Sequence, residues 1–403
     1  MGQKPQIFRF IFTRGDCIFR KQTYGLTIHH RPLMKKIHHS KTVLIALFGA
    51  LAFTAAQACT GLALKAADGS FVSGRTAEFD VLLDIDIALI PAGTAFTGTT
   101  PNGPGLTYAA KYTVVGASTY RANAVMDGLN TAGLGGGAFY FPTFASYTPT
   151  TNDNQTKSLA PSEFVTWVLT QFATVAEVRA AVESGQVVIA PTIEASWGPV
   201  PAPFHFIFFD KTGASLVVEP LNQTLVLHDN PIGVFTNSPT FDWHMTNLRN
   251  YIALSPFDVP AIAVDKTTLQ PVGQGNGALG LPGDFTPPSR FVRAAFFSAT
   301  AQTPKTGADA ALEVLHLLNN FDIPLGSSAY KQGTQVNYDF TQLTGARDST
   351  NLKYYWKGYA NQNIQVIDLQ SLPAAQLTPG IRFFKTQKTQ VLTDQTNSFA
   401  AAK

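Results

Sequence analysis

Cys59 follows Ala56-Gln57-Ala58, a small-x-small cleavage signal at the end of an apolar run. A cut after Ala58 makes Cys59 the first residue of the remaining chain, with a thiol and a free α-amine on one residue. That pair is a nucleophile carrying its own base, because the amine can take the thiol's proton as sulfur attacks. Unperturbed, the amine titrates at about 7.7–8.0 and the thiol at about 8.5, so exchange of one proton between them is easy near neutral pH. The chemistry that fits is attack on a carbonyl carbon with a thioester intermediate. Taken alone, Cys59 could equally be a buried strand cysteine or the lipid-attachment site of an anchored protein. Lipid attachment favours leucine three residues before the cysteine and a small residue two before, and Ala56 and Gln57 match poorly.

Other residue types able to serve such a nucleophile follow in order. Gly74-Arg75-Thr76-Ala77-Glu78 puts a fixed cation sixteen residues past the cysteine and an acid three residues later, with Asp80 nearby. Met126-Asp127-Gly128-Leu129-Asn130 leads to Gly133-Leu134-Gly135 and to Phe139-Tyr140-Phe141-Pro142. Thr236-Asn237-Ser238-Pro239-Thr240-Phe241-Asp242-Trp243 follows, and then Leu281-Pro282-Gly283-Asp284-Phe285-Thr286-Pro287-Pro288-Ser289-Arg290. Singly these have plain readings: a surface arginine, a solvated acid, an asparagine in a turn before Ser-Pro, a salt-bridging arginine at a helix start.

Together and in this order they resemble the choloylglycine hydrolase family, which holds the bile salt hydrolases and penicillin V acylases, over essentially the whole chain from Cys59. The resemblance implies an N-terminal nucleophile hydrolase. Its fold would be α+β, a four-layer αββα sandwich of two antiparallel sheets between helix layers. It implies that Cys59 is the nucleophile and that Arg75 stands beside the thiol, where a positive charge favours thiolate. Asn237 would be the oxyanion-hole amide, the backbone N–H of Tyr140 the second donor, and Arg290 a further active-site arginine. Two positions depart from or divide the family pattern. Glu78 stands where the family has an aspartate bonded to the amine, and Tyr140 is the residue of the penicillin V acylases where bile salt hydrolases carry asparagine. The substrate expected first is therefore a penicillin V-like amide with an apolar or aromatic acyl part. Conjugated bile salts and N-acyl homoserine lactones are the alternatives, and a lipid-anchored binding protein that has lost catalysis is the non-enzyme rival. The family also implies a homotetramer.

The elements that must position these residues read as a mixed pattern. Thr60–Leu64 and Phe71–Gly74 flank Asp68-Gly69, a hairpin turn, so the nucleophile lies on a strand. Val81–Ile90 reads as a strand. Ser162 is expected to cap a helix through Phe172, and Val175–Ser184 reads as a second. Strands are expected at Val187–Ala190, Phe204–Phe209, Ser215–Val218 and Thr224–Leu227, helices at Arg290–Ser298 and Ala308–Asn319, and short strands from Tyr338 to Phe384. The glycine runs Gly133–Gly137 and Gly273–Gly277 fit turns or close backbone packing better than a phosphate loop.

Of 403 residues, 1–58 read as a leader and 59–403 as a single catalytic domain. Met34 is the expected start, Lys35, Lys36 and Lys41 a positive region, and Val43–Phe53 the apolar core of a signal peptide; Cys17 then falls outside the mature protein. The 403 residues carry 29 Lys+Arg and 26 Asp+Glu; the leader takes nine of the former and one of the latter, which leaves 20 against 25, a formal charge of −5. No basic run supports nucleic-acid binding. One cysteine after the cut allows no internal disulfide, and 45% apolar residues allow a sizeable core. His205, His228, His244 and His316 show no ligand spacing, so neither a metal nor a cofactor is expected. The expected location is the periplasm or outside the cell, without stable membrane insertion after signal cleavage, and the expected partner a small-molecule amide.

Overall fold

A computed structural model describes residues 58–399; the expected start, signal peptide and Cys17 lie outside the described residues. Two antiparallel sheets form the centre. The first runs in the order Cys59–Lys65, Phe71–Phe79, Gln335–Asp348, Lys353–Gly358, Asn361–Asp368, with Ser328–Gln332 pairing the start of the long strand. The second runs Thr224–Asp229, Ser215–Leu221, Phe204–Phe209, Gly135–Tyr140, Asp127–Asn130, Val114–Thr119, Ile85–Ile90, Arg382–Phe384. Helices Pro287–Thr300 and Gly307–Leu318 pack on the outer face of the first sheet, and Phe164–Gln171 and Val175–Glu183 on the second. This is the αββα sandwich, with the sheets face to face.

Phe204-His205-Phe206-Ile207-Phe208-Phe209 is buried at every position. A strand covered on both sides has no reason to alternate polar and apolar residues. Phe204, Phe206 and Phe208 pack toward the helices of the second layer, while Ile207 and Phe209 face the first sheet. The glycine run beside it is strand rather than loop. A Cβ on Gly136 would stand 2.3 Å from the Ile207 carbonyl, and one on Gly137 would stand 3.3 Å from Arg75 Nη1. Only Gly133, with φ of +91°, makes the expected turn. Across the sandwich, Arg347 Nη1 meets Asp127 Oδ2 at 2.5 Å and the Tyr354 hydroxyl donates to Asp127 Oδ1 at 2.9 Å, so a buried ion pair joins the two sheets.

Two element expectations change. Val81–Asp84 is not strand: Asp84 takes a left-handed backbone (φ 41°), and Val81 and Leu82 are exposed. Ser162 lies inside a 3-10 turn, Pro161–Glu163, and caps nothing. The Glu163 carboxylate reaches back to the Ala160 N–H at 2.8 Å instead, and the Ser162 hydroxyl donates to Glu194.

Candidate active site

The Asp68-Gly69 hairpin sets the register Cys59↔Ala77 and Gly61↔Arg75. Residues two apart on a strand share a face, so Cys59, Arg75 and Ala77 look toward the second sheet. Arg75 is buried. Its Nη1 donates to the Ala138 carbonyl at 2.6 Å and its guanidinium lies 4.2 Å from the centre of the Phe139 ring. It therefore spans the sheets beneath the thiol.

The edge of the first sheet is closed by a short bridge. Gly61 N–H donates to the Phe235 carbonyl at 2.7 Å, and Phe235 N–H returns to Gly61 at 3.0 Å. That bridge delivers Asn237 to Cys59. The Cys59 N–H donates to Asn237 Oδ1 at 2.7 Å, and Arg290 Nη2 donates to the same oxygen at 2.7 Å. Two donors on one side fix which end of the amide is oxygen. The Asn237 amide nitrogen donates to the Tyr140 carbonyl at 2.9 Å, which leaves its second hydrogen free. Phe141 N–H bonds to Pro203 on the neighbouring strand. By strand alternation the N–H and C=O of Tyr140 then point away from that neighbour and toward Asn237.

Arg290 is fully buried on the helix Pro287–Thr300. Its Nη1 donates to the Cys59 carbonyl and, at 2.9 Å, to Thr60 Oγ1, and its Nε donates to Phe285 at 2.8 Å. It is an internal brace: it holds the nucleophile's backbone and the oxyanion amide in one geometry.

Two histidines to which the sequence assigned no site role back this arrangement. His205 Nε2 stands 3.0 Å from the Thr236 carbonyl and His244 Nε2 2.8 Å from the Asn237 carbonyl. His244 is stacked on Phe291, and burial takes its pKa down to about 4, so it is neutral with its proton on Nε2. Burial pushes Glu219 up, but the His205 imidazole at 3.2 Å and the His228 imidazole at 3.4 Å outweigh it and bring the carboxylate down to about 2. No spacing links these residues in the chain; register across non-consecutive strands brings them together.

The structure brings Cys59, Arg75, Tyr140, Asn237 and Arg290 into one cluster. Glu78 is adjacent, and in the chain with Ala58 attached it is held from the neighbouring strand. Its Oε1 accepts from the Thr341 hydroxyl at 2.8 Å, and the Cys59 N–H goes to Asn237 instead. Burial pushes Glu78 up to about 7, against the pull of Arg290. Asp80 is drawn off by the Tyr330 hydroxyl. The Cys59 thiol is shifted as well, with Arg75 pulling in the expected direction. With Ala58 attached, burial raises it more than Arg75, the Glu78 N–H and Arg290 lower it, so the buried chain holds a thiol rather than a thiolate. Among the described residues, no group of three or more His, Cys, Asp or Glu converges to hold a metal ion.

Beside the cysteine stands a wall of half-buried aromatic rings. Phe79 meets Tyr140 and Trp197 edge-on at 5.9 Å each, and Trp197 also meets Tyr120 and Phe204. The exposed side chains of Val81 and Leu82 lie just beyond Phe79 in the chain. An apolar acyl group has a surface to lie against here.

The family model for linear amide C–N hydrolases of the choloylglycine hydrolase family matches residues 59–376. Bile salt hydrolase/transferase of Clostridium perfringens is 36% identical over 315 residues, 77% of this chain and 92% of that protein. Penicillin V acylase of Pectobacterium atrosepticum is 25% identical over 285 residues, 66% of this chain and 69% of that protein. A solved variant of conjugated bile acid hydrolase from Clostridium perfringens superposes with a TM-score of 0.73 at 33% identity, covering 83% of this chain and 99% of that one.

Proposed function

The chain belongs to the choloylglycine hydrolase family, a hydrolase of carbon–nitrogen bonds in linear amides, and from that premise we propose a cysteine mechanism with Cys59 as its N-terminal nucleophile. The observation that carries it is the convergence on one buried point of Cys59, Arg75, Asn237 and Arg290. The sulfur attacks the amide carbon and its proton passes to the α-amine. The free Asn237 amide hydrogen and the Tyr140 N–H receive the oxyanion; such donors are worth roughly 3–4 kcal/mol each. The ammonium protonates the leaving nitrogen, a thioester remains, and water activated by the amine clears it.

The processed chain begins at Cys59 and is exported, with the Ala56-Gln57-Ala58 cut as support. Lipid attachment fits less well, because Cys59 is buried and both its N–H and its carbonyl are held inside the cluster. Among the described residues no helix is long and apolar enough to cross a membrane.

For the acyl group, the aromatic wall of Phe79, Tyr140 and Trp197 favours a flat apolar or aromatic moiety, so phenoxyacyl amides such as penicillin V come first. Conjugated bile salts are the second reading, favoured by the higher identity of the bile salt hydrolases. The test compares release of product from penicillin V, glycocholate, taurocholate and a long-chain N-acyl homoserine lactone by the purified protein and its Cys59→Ser variant. The proposal expects the variant to keep the fold and lose turnover by about a thousandfold or more. Undiminished hydrolysis by Cys59→Ser removes the cysteine mechanism, and preferred bile salt turnover reverses the order of substrates.

A further inference from the structure

Asp339 lies on the long strand Gln335–Asp348, two residues before Thr341, and so shares its face. Thr341 pairs with Glu78 and donates its hydroxyl to Glu78 Oε1. Asp339 is 1% exposed, and neither of its carboxyl oxygens has a hydrogen-bond partner of good geometry; nor has Glu78 Oε2. Three buried acceptor oxygens without donors therefore sit together on neighbouring strands. Leaving such groups unpaired is costly, and the cluster asks for a donor that carries charge.

Ala58 stands beside Asp339. It is buried, and its N–H stands near enough to Asp339 to favour the charged carboxylate. Cutting the Ala58–Cys59 bond vacates the space beside Asp339 and places the new α-amine at its edge. The Cys59 nitrogen has one hydrogen now, held by Asn237; an α-ammonium has three, and the two others point into the vacated space.

We propose that Asp339 is a second carboxylate of the active site, sharing with Glu78 the positioning and neutralisation of the Cys59 α-ammonium. This rests on the reading of Cys59 as the first residue of the processed chain. While Ala58 is attached, Arg290 acts on both carboxyls and Arg75 on Glu78 as well, yet burial pushes Asp339 up to about 8 with Glu78 adding to the rise. The ammonium adds a positive charge beside both carboxyls. Around Asp339 the other groups are Glu78 and Asp80 from the neighbouring strand and its end, Tyr330 from Ser328–Gln332 and Arg290 from its helix. The longer reach of glutamate at position 78 then does not leave the amine unheld, because a second acid stands two residues from Thr341 on the neighbouring strand.

The test follows the rate of Cys59 alkylation by iodoacetamide against pH. It uses exported, processed protein whose intact mass shows Cys59 as first residue, in wild type, Asp339→Asn, Asp339→Ser and Asp339→Glu. Removing a negative charge eases formation of the thiolate, so the alkylation profile of the Asn and Ser variants should move to lower pH by about one unit. The Glu variant should stay near wild type. The acid limb of kcat/KM should follow the same order. A packing role would leave the alkylation profile unmoved in all four proteins, and that result overturns the proposal, as does a mature terminus other than Cys59. A shifted alkylation profile in a protein that hydrolyses none of the amides tested upholds Asp339 and overturns the substrate reading instead.

Discussion

Two regions of this molecule break the ordinary partition of polarity, and they break it in opposite directions. Around Cys59, charge lies inside: Arg75, Glu78, Arg290 and Asp339 are all buried. In the excursion from Ile252 to Gly283, apolar side chains lie outside. Ile252, Val272 and Leu279 are 86%, 107% and 88% exposed, and the Ile262–Val264 and Thr267–Leu269 hairpin is exposed along its length. The cationic side of the first departure is compensated within the chain, since nearly every Arg290 hydrogen-bonding direction ends on a named acceptor, while Asp339 and one oxygen of Glu78 still lack a donor. The second has no compensation among the described residues. A buried charge must be paired where it stands, whereas an exposed apolar surface can wait for something to cover it.

The sharpest way to break this comparison is to remove the compensation at the centre. Arg290→Met leaves the Cys59 carbonyl and the Phe285 carbonyl without these donors and takes one of two donors from Asn237 Oδ1. Breaking a buried polar cluster from one side costs about 3–5 kcal/mol. We expect that loss in urea denaturation, together with at least a hundredfold fall in turnover. A variant as stable as wild type would show that the brace is not what makes interior charge tolerable.

The hairpin that carries Cys59 was legible in the sequence because its geometry is local, while the place of Arg75 beside the thiol came from resemblance and is explained by the register. Asp68-Gly69 fixes the turn, the turn fixes the register, and the register puts Arg75 on the face of Cys59. Phe204–Phe209 was legible for a similar reason, as a short apolar run fills one doubly covered strand. Asn237 and Arg290 came only from resemblance, since contacts 178 and 231 residues apart leave no spacing signal. His205, His244 and Asp339 were not legible at all. Their roles arise from pairing between strands distant in the chain, and their residue types are common in plain surroundings. The Gly135–Tyr140 strand was hidden because glycine is a poor strand former, used here for close approach to Ile207. The exposed hairpin left no mark because its apolar residues are sparse.

A second prediction tests whether the interior compensation is complete before the cut. Glu78 and Asp339 both titrate above their ordinary range, at about 7 and about 8, while Ala58 is attached. A carboxyl raised in the folded state binds its proton more tightly there than in the unfolded chain. Its contribution to stability is full below the unfolded value, near pH 4, and is lost as pH rises through 7 to 8. Protein expressed without export, and so still carrying Ala58, should show a lower melting temperature at pH 8.5 than at pH 5. Processed protein should show a smaller drop, because the α-ammonium draws both carboxyls down. Equal slopes in the two forms would mean that the amine does not reach them.

The smallest effect on a single chain belongs to the exposed region, and that smallness is the point of the comparison. The excursion is tied at its base: Ser255 N–H bonds to Gly277, Val259 N–H to Asn276, and Gly275 and Asn276 N–H to Asp258. In the hairpin Ile262 pairs with Leu269 and Val264 with Thr267. An isolated two-stranded hairpin is at best marginally stable in water, and a contiguous exposed apolar patch marks a contact surface. We propose a second copy of this chain as its occupant. Ile262→Ser, Val264→Ser and Leu269→Ser together should change the stability of one subunit by about 0.5 kcal/mol or less per site, as surface substitutions do. The same variant should have a smaller molecular mass by light scattering than wild type, with turnover per subunit held within about twofold of wild type. If the mass is unchanged, the hairpin is not the assembly surface. If the subunit itself unfolds, the excursion is part of the core stability after all, and the contrast between the two regions fails.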